Sequence, residues 1–201
     1  MESSIDKLKT HYSPRLKNFR ETYQILDWES REAQTARFNV LLENVPLEGM
    51  TILDIGCGCG DLYTLLLEAA PDTDYTGIDI LPEMVDKAMS MHKDARFLCG
   101  DLFSDDSVCN KKYDVIYTSG IFNLNLGNNA DFFIRAVETF TRMAEKYIVI
   151  TLLDEASPDR DDKYFYFNPQ KAAAAVKNAG WNVSVRKGYL ANDFTLICSR
   201  K

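Results

Sequence analysis

The chain is predicted to be α/β: a three-layer sandwich in which a mostly parallel sheet lies between helices, with an antiparallel pair at the C-terminal end. Three observations predict this. From about residue 50 onward short apolar runs alternate with amphipathic ones, the pattern of strands joined by helical crossovers. The last two apolar runs, 183–187 and 194–199, are separated only by a short loop containing Gly188 and Asn192-Asp193. That loop is too short for a helical crossover, so the pair is antiparallel. Between the first strand and its helix stand Gly56, Gly58 and Gly60, residues that let a ligand lie against the main chain itself.

In chain order, residues 1–48 read as helical and unlike the remainder: Ser30 suits an N-cap, Phe38, Leu41, Leu42 and Val45 recur at helical spacing, and Pro46 and Gly49 close the segment. A strand at Thr51–Ile55 leads through the glycine turn to a helix at Asp61–Ala69, stopped by Pro71; a strand at 75–80 comes next. The helix Pro82–Met91 begins with proline in its first turn, where the missing N–H costs nothing. Arg96–Cys99 is the third strand, ended by Gly100, and after a polar loop residues 113–118 make the fourth. Asn128-Asn129 can cap a helix carrying Phe133, Val137 and Phe140 on one face, and residues 147–153 make the fifth strand. A charged loop, 154–163, precedes the aromatic run Tyr164-Phe-Tyr-Phe167; a helix at 169–179 ends at Gly180.

Composition bounds the function. At 201 residues, 46% of them apolar, the chain supports one sizeable core and one domain. A net charge of −7 argues against a broad phosphate-binding surface, so nucleic acid is not an expected partner. The cysteines 57, 59, 99, 109 and 198 are odd in number and mostly lie in apolar runs or in the glycine turn, which fits a reduced, cytoplasmic setting. Neither an apolar signal core at Met1-Glu-Ser-Ser-Ile-Asp-Lys7 nor a run of about 18 apolar residues occurs, so no secretion or membrane span is expected.

The glycine turn, Thr51-Ile-Leu-Asp-Ile-Gly-Cys-Gly-Cys-Gly-Asp-Leu62, does not fit the dinucleotide fingerprint G-x-G-x-x-G. Counted from Gly56, the third glycine falls on Asp61, and Gly60 stands one position early. Asp54, inside the strand, suits an amine or cationic ligand better than a pyrophosphate. The run Leu53–Gly60 resembles the first motif of class I S-adenosylmethionine-dependent methyltransferases, and further motifs stand at that family's spacing. Asp79, in Gly77-Ile-Asp-Ile80, resembles its acid for the ribose hydroxyls, whose two acceptor oxygens suit a vicinal diol. Gly100-Asp-Leu102 resembles its adenine-binding step, and Tyr113-Asp-Val-Ile-Tyr-Thr-Ser-Gly120 its fourth motif, which faces the transferred methyl.

The resemblance covers roughly residues 50–200. It implies a seven-stranded sheet of order 3-2-1-4-5-7-6 with the last strand antiparallel. Residues 1–48 would form a helical lid of the same domain and residues 49–201 the cofactor-binding part. S-adenosylmethionine is the cofactor implied, held by Asp54, Gly56, Cys57, Gly58, Gly60, Asp79, Ile80, Met84, Asp101, Leu102, Ser119 and Gly120. Arg37 would pair with the methionyl carboxylate, unless it lies on a solvated helix face. Trp28 reads most simply as core.

Methyl transfer from a sulfonium is an in-line displacement in which the protein mainly positions and desolvates, with a base needed only for a protonated acceptor. No catalytic residue is assigned. Phe122, Asn123, Tyr164 and Tyr166 are the candidate acceptor contacts, although alternation in the aromatic run places two of its four rings in the core. Where relatives that methylate planar nitrogens carry an Asn or Asp, two prolines and an aromatic, this chain has Thr118-Ser-Gly-Ile121, which argues against such acceptors. His11 and His92 are isolated, and Cys57 and Cys59 have no further ligands at metal spacing, so no metal is expected. The function implied is methyl transfer to a small-molecule acceptor. An RNA- or protein-directed transferase would require a basic groove beside the methyl site, and a non-catalytic cofactor-binding module a blocked acceptor pocket.

Overall fold

The computed structural model describes residues 3–103, 108 and 110–201. Seven strands form one sheet: β1 (Thr51–Ile55), β2 (Asp74–Asp79), β3 (Arg96–Cys99), β4 (Tyr113–Ser119), β5 (Ala144–Leu153), β6 (Trp181–Lys187) and β7 (Asp193–Arg200). Their order is β3-β2-β1-β4-β5-β7-β6. The first five run parallel, and β7 lies antiparallel between β5 and β6, as the short final loop requires. The helices are α1 (Ser4–Asn18), α2 (Thr22–Ile25), α3 (Arg31–Asn44), α4 (Asp61–Ala69), α5 (Pro82–Met91), α6 (Asn129–Met143) and α7 (Pro169–Asn178).

Period-two alternation sorts each strand onto two faces. Leu53 and Ile55 of β1 join Ile116, Ile148 and Ile150 beneath Phe133, Phe140 and Val176 of α6 and α7. Ile52 joins Val115 and Val149 beneath Leu41, Leu62, Leu66 and Val85 of α3, α4 and α5. A smaller cluster of Ile25, Cys59, Leu81 and Met84 receives Leu8, Tyr12 and Leu16 of α1. Thus α1, none of whose residues is buried, rests on the C-terminal edge of the sheet where β1 and β2 end.

Three local readings change. The helical N-terminal stretch is broken into α1, α2 and α3, with Ser30 capping α3 through the Ala33 N–H at 3.0 Å. β5 begins at Ala144 because α6 runs straight into it, and Ala144 pairs with Tyr113 across a register shift in β4. Asn128 is the N-cap of α6 by position, but its side chain makes no cap bond; Asn129 does the polar work instead. Its amide donates to the Phe122 and Leu124 carbonyls and accepts from Leu126 N–H, at 2.8–2.9 Å. Residues 104–107 and 109 of the polar loop, Cys109 included, lie outside the described residues; Cys57, Cys59, Cys99 and Cys198 are free thiols. Among the described residues no helix is long and apolar enough to cross a membrane.

Candidate cofactor and acceptor site

Because β1, β2, β3 and β4 are parallel, their C-terminal ends deliver the glycine turn, Asp79, Asp101 and Ser119 to one edge. Gly56 and Cys57 N–H donate to the Ile78 carbonyl at 2.8 and 3.0 Å, tying the turn to β2. The turn is then closed in from two sides. A Cβ on Gly56 (φ +74°) would lie 2.2 Å from Ile121 Cγ2, and one on Gly58 (φ +55°) 2.5 Å from Leu26 Cδ2. Both positions combine left-handed backbone with a neighbour that leaves no room for a side chain.

Three carboxylates ring this turn. Asp79 accepts from Gly58 N–H through Oδ2 at 3.0 Å and from Leu81 N–H through Oδ1 at 2.9 Å, which fixes its carboxylate while each oxygen keeps a lone pair. Asp101 Oδ1 accepts from Phe103 N–H at 3.0 Å. Asp54 is buried and takes the Tyr75 hydroxyl on Oδ2 at 2.8 Å. Burial pushes the Asp54 carboxyl up to about 7, against the Tyr75 hydrogen bond and with help from Asp79 and Asp61. Burial also raises Asp79, opposed by its backbone donors. Among the described residues no Lys, Arg or His forms an ion pair with Asp54, Asp79 or Asp101. One buried and two partly exposed acids without a protein cation fit a ligand that brings its own positive charge and hydroxyl donors.

A cavity of about 740 Å³ runs from Asp79 and Asp101, beneath Leu8 and Tyr12 of α1, to Trp28, Tyr164 and Tyr166. Its wall brings together Asp54, Gly56, Cys57, Gly58, Asp79, Ile80, Met84, Asp101, Leu102, Ser119, Gly120 and Arg37, and on the acceptor side Asn123, Tyr164 and Tyr166. Two sequence-predicted residues are not there. Gly60 is the N-cap of α4, with Phe97 and His92 packed against it, so its glycine serves packing. Phe122 is 0% exposed and packed, tilted or edge-to-face, among Phe132, Phe133 and Phe167; its ring belongs to the core on the α6 face. The aromatic run alternates as expected: Phe165 and Phe167 turn inward, while Tyr164 and Tyr166 face the cavity.

Arg37 is neither on a solvated face nor free. It is 7% exposed, its Nε lies 2.5 Å from Asp193 Oδ2, it donates to the Ala33 carbonyl at 2.6 Å, and its guanidinium sits 4.2 Å from the Trp28 ring centroid. Its charge is therefore matched within the protein, and its pairing with a ligand carboxylate is not what the geometry displays. Trp28, read from sequence as core, lines the cavity and stands 3.0 Å from where a Cβ of Gly120 would be.

Sequence reasoning missed Asp27, Gln34 and Asp193. Asp27 (φ +60°) takes the Tyr164 hydroxyl at 2.6 Å, His11 Nε2 at 3.0 Å, Arg15 at 2.6 Å and Lys163 at 3.4 Å. Burial would raise its carboxyl, but these donors together hold it well below the usual carboxylate range. It fastens α1 to the segment after β5. Asp193 reads in sequence only as part of a short loop, and Asp27 and Gln34 as polar residues of a helical stretch; nothing local marks them.

The family profile described as "Methyltransferase domain" matches residues 46–178. The chain is 34% identical over 125 residues to malonyl-acyl-carrier-protein O-methyltransferase of Acetivibrio thermocellus, a match covering 59% of this chain and 41% of that protein. It is 40% identical over 63 residues to trans-aconitate 2-methyltransferase of Escherichia coli, covering 31% and 25%. The chain thus spans less than half the length of either relative. Magnesium protoporphyrin IX methyltransferase from Synechocystis PCC 6803, crystallised with S-adenosylhomocysteine, superposes with a TM-score of 0.71 at 14% identity, covering 98% of this chain and 99% of that one. With residues 46–178 inside that profile and the seven strands in the order 3-2-1-4-5-7-6, the chain belongs to the class I S-adenosylmethionine-dependent methyltransferase family.

Proposed function

We propose that the protein transfers the methyl group of S-adenosylmethionine to a small-molecule acceptor held beneath its N-terminal helices. The observation that carries this is the continuity of the cavity: it does not end at Asp54 and the glycine turn but extends to Trp28, Asn123, Tyr164 and Tyr166. That open half argues against a non-catalytic binding module. Its wall carries two arginines and no lysine among the described residues, which argues against a basic groove for RNA.

When bound, S-adenosylmethionine supplies an electrophilic methyl and a leaving group that departs as a neutral thioether. Asp79 is oriented by two backbone donors to accept from a ribose diol, and Asp101 stands at the end of β3 for the adenine. Asp54 would meet the ligand's positive charge. Leu8, Tyr12, Leu26 and Trp28 act as a lid that excludes water, which strengthens every charge interaction beneath it.

Calorimetric titration with S-adenosylmethionine and S-adenosylhomocysteine tests the cofactor half, and a metabolite screen with product detection by mass tests transfer; absence of binding overturns the proposal. Asp79→Ala is expected to weaken the affinity for either ligand by about 1.5–3 kcal/mol, roughly 10- to 150-fold, the worth of hydrogen bonds to a charged group. A pH series checks Asp54. Its carboxyl is raised to about 7, so below that pH a cation must displace a proton to bind. S-adenosylmethionine affinity is therefore expected to be flat above pH 7 and to fall by up to about tenfold per unit below it. Asp54→Asn should flatten the profile; an unchanged slope in that variant would assign the titration elsewhere.

A further inference from the structure

α1 covers the cavity, yet none of its residues is buried. Since a helix in a protein owes most of its stability to tertiary packing, α1 stays in place through a small number of contacts. Leu8, Tyr12 and Leu16 pack on the cluster that contains Cys59, Leu81 and Met84, and Leu81 and Met84 line the cavity with Asp79. Further ties run to the acceptor side. Lys7 Nζ donates to the Leu126 carbonyl, 3.1 Å away in the loop after β4. Nearer the other end of the helix, Arg15 Nη2 lies 2.6 Å from Asp27 Oδ1 and His11 Nε2 lies 3.0 Å from Asp27 Oδ2.

Asp27 is where the two sides meet. Its Oδ2 also accepts from the Tyr164 hydroxyl at 2.6 Å, with Lys163 Nζ 3.4 Å away. Tyr164 lines the cavity together with Trp28, which follows Asp27 in the chain. The Tyr164 backbone bridges to Leu124, and Phe165 N–H donates to the Asn123 carbonyl at 2.7 Å. One carboxylate therefore gathers donors from α1 and from the segment that builds the acceptor wall with Asn123. Among the described residues Asp27 is the one non-glycine residue with a positive φ, +60°. Strained backbone of this kind persists where its surroundings over-determine it, and His11, Arg15, Lys163 and Tyr164 do so here.

Resting on the methyltransferase reading above, we infer that Asp27 is a positioning residue for both halves of the site: it clasps α1 over the cofactor and, through the same carboxylate, holds Tyr164 in the acceptor wall. Cofactor entry and release require α1 to lift, which parts Arg15 and His11 from Asp27 and leaves Tyr164 on a carboxylate that is no longer fixed. When α1 settles on the bound cofactor, Asp27 is fixed again and Tyr164 with it. The acceptor thus meets a formed wall only after the cofactor is in place. The coupling is reciprocal, so the bond that holds Tyr164 also slows release of the cofactor.

The test is hydrogen–deuterium exchange, read by mass spectrometry on the full chain with and without saturating S-adenosylhomocysteine, and the release rate of that ligand, read by surface plasmon resonance. Its affinity is measured calorimetrically first. Failure to bind strikes the methyltransferase reading, whereas normal binding without coupling strikes only the clasp. In the unaltered chain the ligand is expected to slow exchange about fivefold or more in residues 4–18 and also in residues 161–167. Asp27→Asn keeps the side chain's size and its tolerance of positive φ while removing its charge. It should abolish the slowing at 161–167 and release the ligand about tenfold faster. Tyr164→Phe removes one hydroxyl and should speed exchange in residues 4–18 of the complex, whose sequence it leaves intact. Arg160→Gln, a charge change in the same loop at a residue that lies over Tyr166 instead, should do neither. If Asp27→Asn does not fold, Tyr164→Phe, with its single lost hydrogen bond, decides. Slowing at 161–167 that survives Asp27→Asn, exchange in 4–18 unmoved by Tyr164→Phe, or equal effects from Arg160→Gln overturns the inference.

Discussion

Arg37→Leu is expected to cost about 3–5 kcal/mol of stability, because removing one partner leaves the other charge buried and uncompensated. For a domain of this size, at about 2–4 °C per kcal/mol, this is a fall of roughly 10 °C in Tm, measurable by thermal or chemical denaturation. The buried guanidinium and carboxylate lie 2.5 Å apart, and burial already raises the Asp193 carboxyl against the pull of Arg37. In the variant that carboxyl rises further, so the folded state takes up a proton more readily than the unfolded chain. The loss should therefore shrink as the pH falls. The double replacement Arg37→Met with Asp193→Leu, which removes both charges, should recover most of the stability, since replacing a whole buried pair by apolar groups is often neutral. A double variant as unstable as the single one would mean that the Trp28 stack and the Ala33 bond, not the charge, carry the effect.

Phe122→Ala is expected to be comparably destabilising, again about 3–5 kcal/mol, as a fully buried ring removed from a packed core. Phe122 is 0% exposed and touches Phe132, Phe133 and Phe167, so no solvent can fill the space it leaves. Denaturation curves should show the loss, while S-adenosylhomocysteine affinity, measured well below the midpoint, should change little. A variant with native stability and lost methyl transfer would instead restore the ring to the acceptor pocket.

The contrast between Phe122 and its neighbour Asn123 shows where sequence reading stops. Both come just after β4, and both are candidate acceptor contacts by sequence. Asn129, through its bonds to the Phe122 and Leu124 carbonyls, curls this loop so that one side chain enters the core and the next lines the cavity, and no local pattern announces that curl. The cofactor half was legible because its residues are carried by strand ends, whose period and direction follow from hydrophobic alternation. The bounds of β1, β3, α4 and α5 agree with the pattern for the same reason. The proposed acceptor half was not, because it is assembled from positions far apart in the chain. Gln34 and Arg37 come from α3, Trp28 from the turn before it, Tyr164 and Tyr166 from a loop, and Asp193 from the last hairpin. Arg37 could be singled out in the N-terminal segment, yet its partner stands 156 residues later, beyond the reach of any spacing argument.

The reversal of the last strand has a consequence for what the sheet can present at its working edge. A parallel strand always brings its final residue there, after its whole length has been committed to the ladder. β7 runs the other way between β5 and β6, so the residue it presents beside Leu153 is its first, Asp193. Residue 193 is therefore set by the hairpin loop rather than by a crossover helix. Editing that loop would shift the most buried acid on this wall while leaving the strands that hold the glycine turn in place, but only together with its ion pair to Arg37.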